Sequence, residues 1–126
     1  MSRLLVVDDE ASIRLLYSEE LKDDGYEVVT AGSISEAVDK LQSGTFDLAV
    51  LDIKLKNESG IELLQKIVKE RHEMPVILCS AFSCYKDDFS AWLADGYVVK
   101  SGDLTELKQE IARVLAKKNQ KAKVGL

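Results

Sequence analysis

The sequence predicts an α/β fold, a doubly wound, five-stranded parallel sheet of (βα)5 order with helices on both faces, a three-layer sandwich. Three observations predict it. Short apolar runs alternate five times with segments of helical periodicity. The connections between them are a few residues long, with no linker or internal repeat. The chain has 126 residues, 46% hydrophobic and 31% charged, which suits one globular domain and is too short for two ordinary ones.

Each element has its own local reason. Arg3 to Val7 (RLLVV) is a β-rich run. From Ala11 to Leu21, residues Ile13, Leu16, Tyr17 and Leu21 follow helical spacing, and Gly25 supplies a stop. Glu27 to Ala31 (EVVTA) reads as a second strand. Ser33 followed by Glu36 is a capping box that opens a helix with Ile34, Ala37, Val38 and Leu41 on one face, and Gly44 ends it. Leu48 to Leu51 is the third strand, and Ile61, Leu64, Ile67 and Val68 form the stripe of the helix after it. Beyond Pro75, Val76 to Cys79 is the fourth strand. Tyr85 to Leu93 is weakly helical, and Tyr97 to Val99 is a short fifth strand. Asp103 with Glu106 caps a last helix lined by Leu104, Leu107, Ile111, Val114 and Leu115. The expected domain is 1–118, with 119–126 a basic, flexible tail.

Composition removes several functions. Apolar runs such as Leu4–Val7 and Leu48–Leu51 reach only four residues, so no bilayer-spanning segment is expected, and no signal sequence follows Met1. Two cysteines, Cys79 and Cys84, are too few for a disulfide scaffold and suit a reducing, cytoplasmic setting. A single histidine, His72, cannot furnish the usual catalytic zinc sets. Net charge is −5, and because Lys117, Lys118, Lys121 and Lys123 all follow Ala116, the first 116 residues carry −9. Such an acidic body is a poor direct binder of nucleic acid. The basic tail reads as a solvated helix end whose cations offset the helix dipole.

In open parallel sheets the site lies outside the carboxyl ends of the strands, where strand order switches. Those ends carry Asp8 and Asp9, then Asp52, then Ser80 with Ala81, then Lys100 with Ser101. Carboxylates brought together repel and call for a cation. Oxygen ligands with open positions suit Mg²⁺. Lys100 and Ser80 can then receive an anion, as phosphoryl transfer requires, and an Asp carboxylate can itself become an aspartyl phosphate. Any one of these residues alone is better read as a helix cap, a loop residue or a solvated charge; four strand ends of complementary chemistry favour a site.

At these residues the sequence resembles the receiver domain of two-component response regulators, across essentially the whole chain. LLVVDDE (Leu4–Glu10) is similar to the family's first strand and acidic pair, and LAVLDIKL (Leu48–Leu55) with Ser59-Gly60 to its phosphoacceptor strand and loop. VILCSAFS (Val76–Ser83) resembles the strand with the hydroxyl, and YVVKS (Tyr97–Ser101) the strand with the aromatic switch and lysine. The resemblance implies a flavodoxin-like sandwich in which Asp52 accepts the phosphoryl group. It implies Mg²⁺ bound by Asp9, Asp52 and the Lys54 backbone carbonyl, with Asp8 acting directly or through water. It further implies that Lys100, Ser80 and the Ala81 backbone N–H hold phosphoryl oxygens. The donor would be a phosphohistidine on a sensor histidine kinase or a phosphotransfer protein. Movement of Ser80 and Tyr97 would then switch the face made by the fourth helix, fifth strand and fifth helix. That face would engage a downstream effector, an attached output domain or a second copy as a homodimer. The domain would be a phospho-switch that assists its own phosphorylation and dephosphorylation, with no separate metabolite as substrate.

Three features depart from the family pattern. Ser101 stands where the family usually has proline, and a cis bond before a non-proline residue costs about 2.5–4 kcal/mol, so this loop is expected to be trans, or cis and strained. Lys56 replaces a second common proline and, with Lys54, adds positive charge beside the acidic site. The segment between Ser80 and the fifth strand is shorter than in most receivers, so the fourth helix is expected to be short or irregular, with Phe89, Trp92 and Leu93 packed unusually. Two other functions compete. An Mg²⁺-dependent phosphohydrolase with an aspartyl nucleophile would carry a second Asp two residues beyond the first, whereas Asp8 and Asp9 are adjacent. A receiver-like interaction module that is never phosphorylated would not need the full acidic, hydroxyl and lysine set.

Overall fold

The computed structural model describes residues 2–55, 58–70, 73–81, 94–100 and 103–124. The expected fourth helix (Tyr85–Leu93), Phe89, Trp92, Leu93, Lys56, His72, Cys84 and Ser101 with its Lys100 peptide bond lie outside the described residues.

Strand β1 (Arg3–Val7) pairs in parallel with β2 (Glu27–Ala31) on one side and β3 (Leu48–Asp52) on the other. Strands β6 (Val76–Ser80) and β7 (Gly96–Val99) extend the sheet beyond β3, giving the order β2-β1-β3-β6-β7. The five parallel strands expected from the sequence are therefore present. The chain moves outward in one direction from β1 to β2, then crosses back to β3. The crevice between the ends of β1 and β3 is the switch point where such sheets bind ligands.

Alternation along the strands feeds two cores. Leu5, Val7, Ala49, Leu51, Val76 and Leu78 face helices α2 (Ile34–Ser43) and α3 (Gly60–Glu70), which contribute Ala37, Leu41, Leu63, Leu64 and Ile67. On the other face Leu4, Val6, Leu48, Val50, Ile77 and Cys79 meet α1 (Ala11–Asp23) and α4 (Thr105–Val124) through Tyr17, Leu21, Leu107, Ile111 and Val114. Every residue of β3 and β6 is buried, as central strands covered on both faces must be. Leu16, expected in the α1 stripe, is 37% exposed and Leu15 is 61% exposed; only Tyr17 and Leu21 of that helix are fully buried.

Local signals act as the sequence suggests, with refinements. Ser33 Oγ accepts the Glu36 N–H at 3.1 Å and caps α2. Gly25 takes φ 96°, a left-handed conformation that ends α1 cheaply only for glycine. Asp103 caps the last helix through Thr105, accepting its N–H at 2.9 Å and its hydroxyl at 2.6 Å. Helix α4 continues past residue 118 to Val124. Between β3 and α3, the short strands β4 (Lys54–Leu55) and β5 (Glu58–Ser59) pair antiparallel where the sequence suggested only loop. Ile53 and Leu55 explain this excursion, since both are buried in the core beneath α2 and α3.

Candidate functional site

The acidic turn begins where β1 leaves the sheet. Asp8 keeps one ladder bond, its N–H donating to Ala31 O at 3.1 Å, and its Oδ1 accepts the Glu10 N–H at 2.9 Å. That turn places carboxylate oxygens of Asp8, Asp9 and Glu10 within 4.8 Å of one another. Asp52 ends β3, and its Oδ1 accepts the Lys54 N–H at 3.3 Å. Lys100 follows β7, and its ammonium lies 2.7 Å from Asp8 Oδ2 and 3.0 Å from Asp52 Oδ2. One cation therefore joins the ends of three strands over two carboxylates that are only 2% and 5% exposed.

The backbone keeps this cluster tight. Gly60 N–H donates to Ile53 O at 2.6 Å, and any Cβ at Gly60 would overlap the Asp52 carbonyl oxygen. Glycine lets the start of α3 lie against the end of β3. The Lys100 N–H donates to Ser80 O at 2.6 Å, tying the ends of β7 and β6. Ser80 is buried opposite Val99, Ala81 is the exposed residue after it, and Tyr97 lies opposite Leu78, half-buried against the α2–α3 core.

Electrostatics shows what the site suits. Burial, supplemented by the Asp8 charge, holds the Asp52 carboxyl above its ordinary pKa even though Lys100 and the Lys54 N–H pull the other way. For Lys100, burial works against the ammonium, but its bonds to Asp8 and Asp52 outweigh that and raise its pKa. Four carboxylates, those of Asp8, Asp9, Glu10 and Asp52, share this end of the sheet with that ammonium. The donor set is all oxygen and carries excess negative charge, which fits a hard divalent cation such as Mg²⁺. Sequence reasoning did not assign Glu10; the uninterrupted Asp8-Asp9-Glu10 run was the signal available. It also treated Tyr17 as core alone. The Tyr17 hydroxyl and Cys79 Sγ are hydrogen-bonded at 3.6 Å on the α1 side of the sheet, and burial pushes the Cys79 thiol up to about 11.

The profile of the response regulator receiver domain matches residues 4–112. The chain belongs to that family. This receiver is similar to the response regulator ArlR of Staphylococcus aureus, with 32% identity over 123 residues. The match covers 96% of this chain and 56% of ArlR, so the chain spans little more than half the length of that relative. Among solved structures, response regulator protein TrrA of Thermotoga maritima in complex with Mg²⁺–BeF is 46% identical with a TM-score of 0.86, covering 90% of this chain and 98% of that one. TrrA in complex with the histidine kinase ThkA is 46% identical with a TM-score of 0.85, covering 91% and 99%. A CheY-like receiver domain protein of Methanospirillum hungatei is 30% identical with a TM-score of 0.90, covering 96% and 98%. A receiver domain is a signalling unit, and among the described residues no helix is long and apolar enough to cross a membrane.

Proposed function

We propose that this receiver domain takes a phosphoryl group onto Asp52 from a phosphohistidine of a sensor histidine kinase or phosphotransfer protein. The observation that carries the reading is the Lys100 ammonium held by Asp8 and Asp52 together. A lysine so placed can follow an incoming phosphoryl oxygen while staying anchored to Asp8, stabilising charge as it develops. Asp52 supplies the nucleophilic carboxylate oxygen. Ser80, buried at the end of the neighbouring strand, and the Ala81 N–H after it would receive the remaining oxygens. Asp8, Asp9, Asp52 and the Lys54 backbone carbonyl would hold Mg²⁺. When bound, the ion would neutralise the crowded carboxylates and draw negative charge from the transferring group.

The resulting charge change would act through Ser80 and Tyr97 on the side of the sheet that includes β7 and α4, engaging a downstream effector, an attached output domain or a second copy. The complex of TrrA with a histidine kinase supports a kinase as donor, and the greater length of ArlR supports an attached output domain. The receiver unit would be residues 1–118, the helical basic extension following it, and the domain would work in the cytoplasm without acting on a separate substrate.

Incubation with Mg²⁺ and acetyl phosphate or a phosphorylated kinase tests this. A phosphoryl mass increase that disappears in Asp52→Asn is expected. Turnover of many phosphate esters would point to a phosphohydrolase, and no adduct from any competent donor to an unphosphorylated interaction module.

A further inference from the structure

Arg14 closes the first turn of α1, outside the cluster described above, yet it touches the acidic turn. Its Nη1 donates to the backbone oxygen of Asp8 at 2.6 Å. That oxygen belongs to the peptide joining Asp8 to Asp9. Its orientation sets the plane of this peptide and so the direction in which Asp9 leaves the chain. Asp8 is otherwise held by its N–H on Ala31, by Oδ1 on the Glu10 N–H and by Oδ2 on Lys100. The Arg14 contact completes this set and is the charge-assisted bond among those on the backbone of Asp8, the stronger kind.

Room for the guanidinium comes from Gly32, just beyond β2. A Cβ built on Gly32 would lie 3.0 Å from Arg14 Nη1 and 3.3 Å from Cζ, and the three atoms nearest to it all belong to Arg14. Gly32 is not needed for backbone conformation, since among the described residues Gly25 is the glycine with positive φ. The guanidinium packs against its bare Cα, and a methyl group there would press on it by a few tenths of an ångström.

We infer that Arg14 is a positioning residue for the divalent-ion site, orienting the Asp8–Asp9 peptide through the Asp8 carbonyl, and that Gly32 is glycine to admit it. The inference rests on the metal reading given under Proposed function. Without Arg14 the peptide can rotate, and the Asp9 carboxylate no longer starts in the orientation that a cation shared with Asp8 and Asp52 requires. Supporting partners of metal ligands commonly matter at the level of affinity, and the expected loss on Arg14→Ala is about tenfold in Mg²⁺ affinity.

The test is calorimetric titration of the full chain with MgCl₂, alongside thermal melting without divalent ions. Arg14→Ala is expected to weaken Mg²⁺ binding while leaving the metal-free melting temperature within a few degrees. Arg14→Lys, which keeps a donor but loses the planar fork, is expected to fall between the two. Gly32→Ala should weaken binding in the same sense by displacing the guanidinium, and should add nothing in the Arg14→Ala background, because both changes remove one contact. If Arg14→Ala fails to fold, Arg14→Met, which keeps the aliphatic stem and deletes the donors, decides, with weakened Mg²⁺ binding supporting the inference and unchanged binding overturning it. Unchanged affinity in Arg14→Ala, or losses that multiply in the double variant, overturns the positioning role while the metal reading stands. Absence of Mg²⁺ binding by the unsubstituted protein overturns the metal reading and this inference with it.

Discussion

Lys100 Nζ stands 3.0 Å from Asp52 Oδ2 although their strands do not pair, because β6 lies between β3 and β7. The lysine spans that intervening strand, and the same ammonium also reaches Asp8, the residue just past β1. The Asp52 carboxylate is thus held from across the sheet, and three predictions follow from how it is held.

Asp52 sits above its ordinary pKa chiefly because it is buried, with Asp8 adding repulsion. The folded chain therefore holds this proton more tightly than an unfolded chain, so its contribution to stability falls as pH rises from the ordinary carboxylate value through the raised one. Asp52→Asn removes that cost. Without divalent ions the variant is expected to melt a few degrees higher at neutral pH, about 1 kcal/mol, with the gap closing in acid. Melting curves across pH check this, and a variant less stable at neutral pH would contradict it.

Removing the cation should do the opposite. Lys100→Ala leaves Asp8 and Asp52 buried without their shared partner, and the expected destabilisation is about 3 kcal/mol, at the low end for breaking a buried pair because Lys100 keeps some solvent contact. The raised pKa of Lys100 gives the sign: its contribution is fully present below the ordinary lysine value and disappears as pH climbs through the raised one. Urea denaturation should show the loss, and Mg²⁺ should recover part of it by supplying positive charge. A variant as stable as the parent would mean that the ammonium is not holding the carboxylates.

Gly60→Ala is expected to be among the most damaging small changes in the chain. The new methyl group meets the backbone oxygen of Asp52, which cannot swing aside as a side chain would. A cost of at least about 3 kcal/mol follows, at the upper end for overpacking, together with slower phosphorylation as α3 is pushed from Asp52. Denaturant midpoints and the rate of adduct formation from acetyl phosphate measure both effects. Retention of parental stability would rule out this close approach.

Cys79 should be inert in the native protein, since it is 2% exposed and its thiol is pushed up to about 11 by burial. Iodoacetamide followed by peptide mapping is expected to leave Cys79 unlabelled until denaturant is added. Tyr17→Phe, which deletes only the hydroxyl bonded to Cys79, should cost less than about 1.5 kcal/mol and leave the thiol protected. Rapid native labelling of Cys79 would contradict its burial.

The extent to which the site was legible varied with how local its causes are. Asp8 with its neighbour Asp9, Asp52, Ser80 and Lys100 could be picked out because each set directly follows an apolar run, and in a parallel sheet the carboxyl ends all point one way. Glu10 and Arg14 were not given roles and Tyr17 only a core one, because a residue in or capping a helix discloses its facing partner only once crossing angles and neighbours exist. The β4–β5 hairpin escaped for a related reason: two-residue strands have no period to detect, and their pairing rests on Ile53 and Leu55 reaching the core.

What the chain determines by itself is the alternation of strand and helix, the acidic, hydroxyl and ammonium residues at the strand ends, and the caps at Ser33 and Asp103. All of these follow from neighbours within a few residues. Only tertiary structure decided that Lys100 bridges Asp8 and Asp52, that Gly60 and Gly32 leave room for another segment, and that Leu15 and Leu16 stay exposed while Tyr17 is buried. These depend on groups far apart in sequence meeting at ångström distances, and periodicity carries no distances between segments.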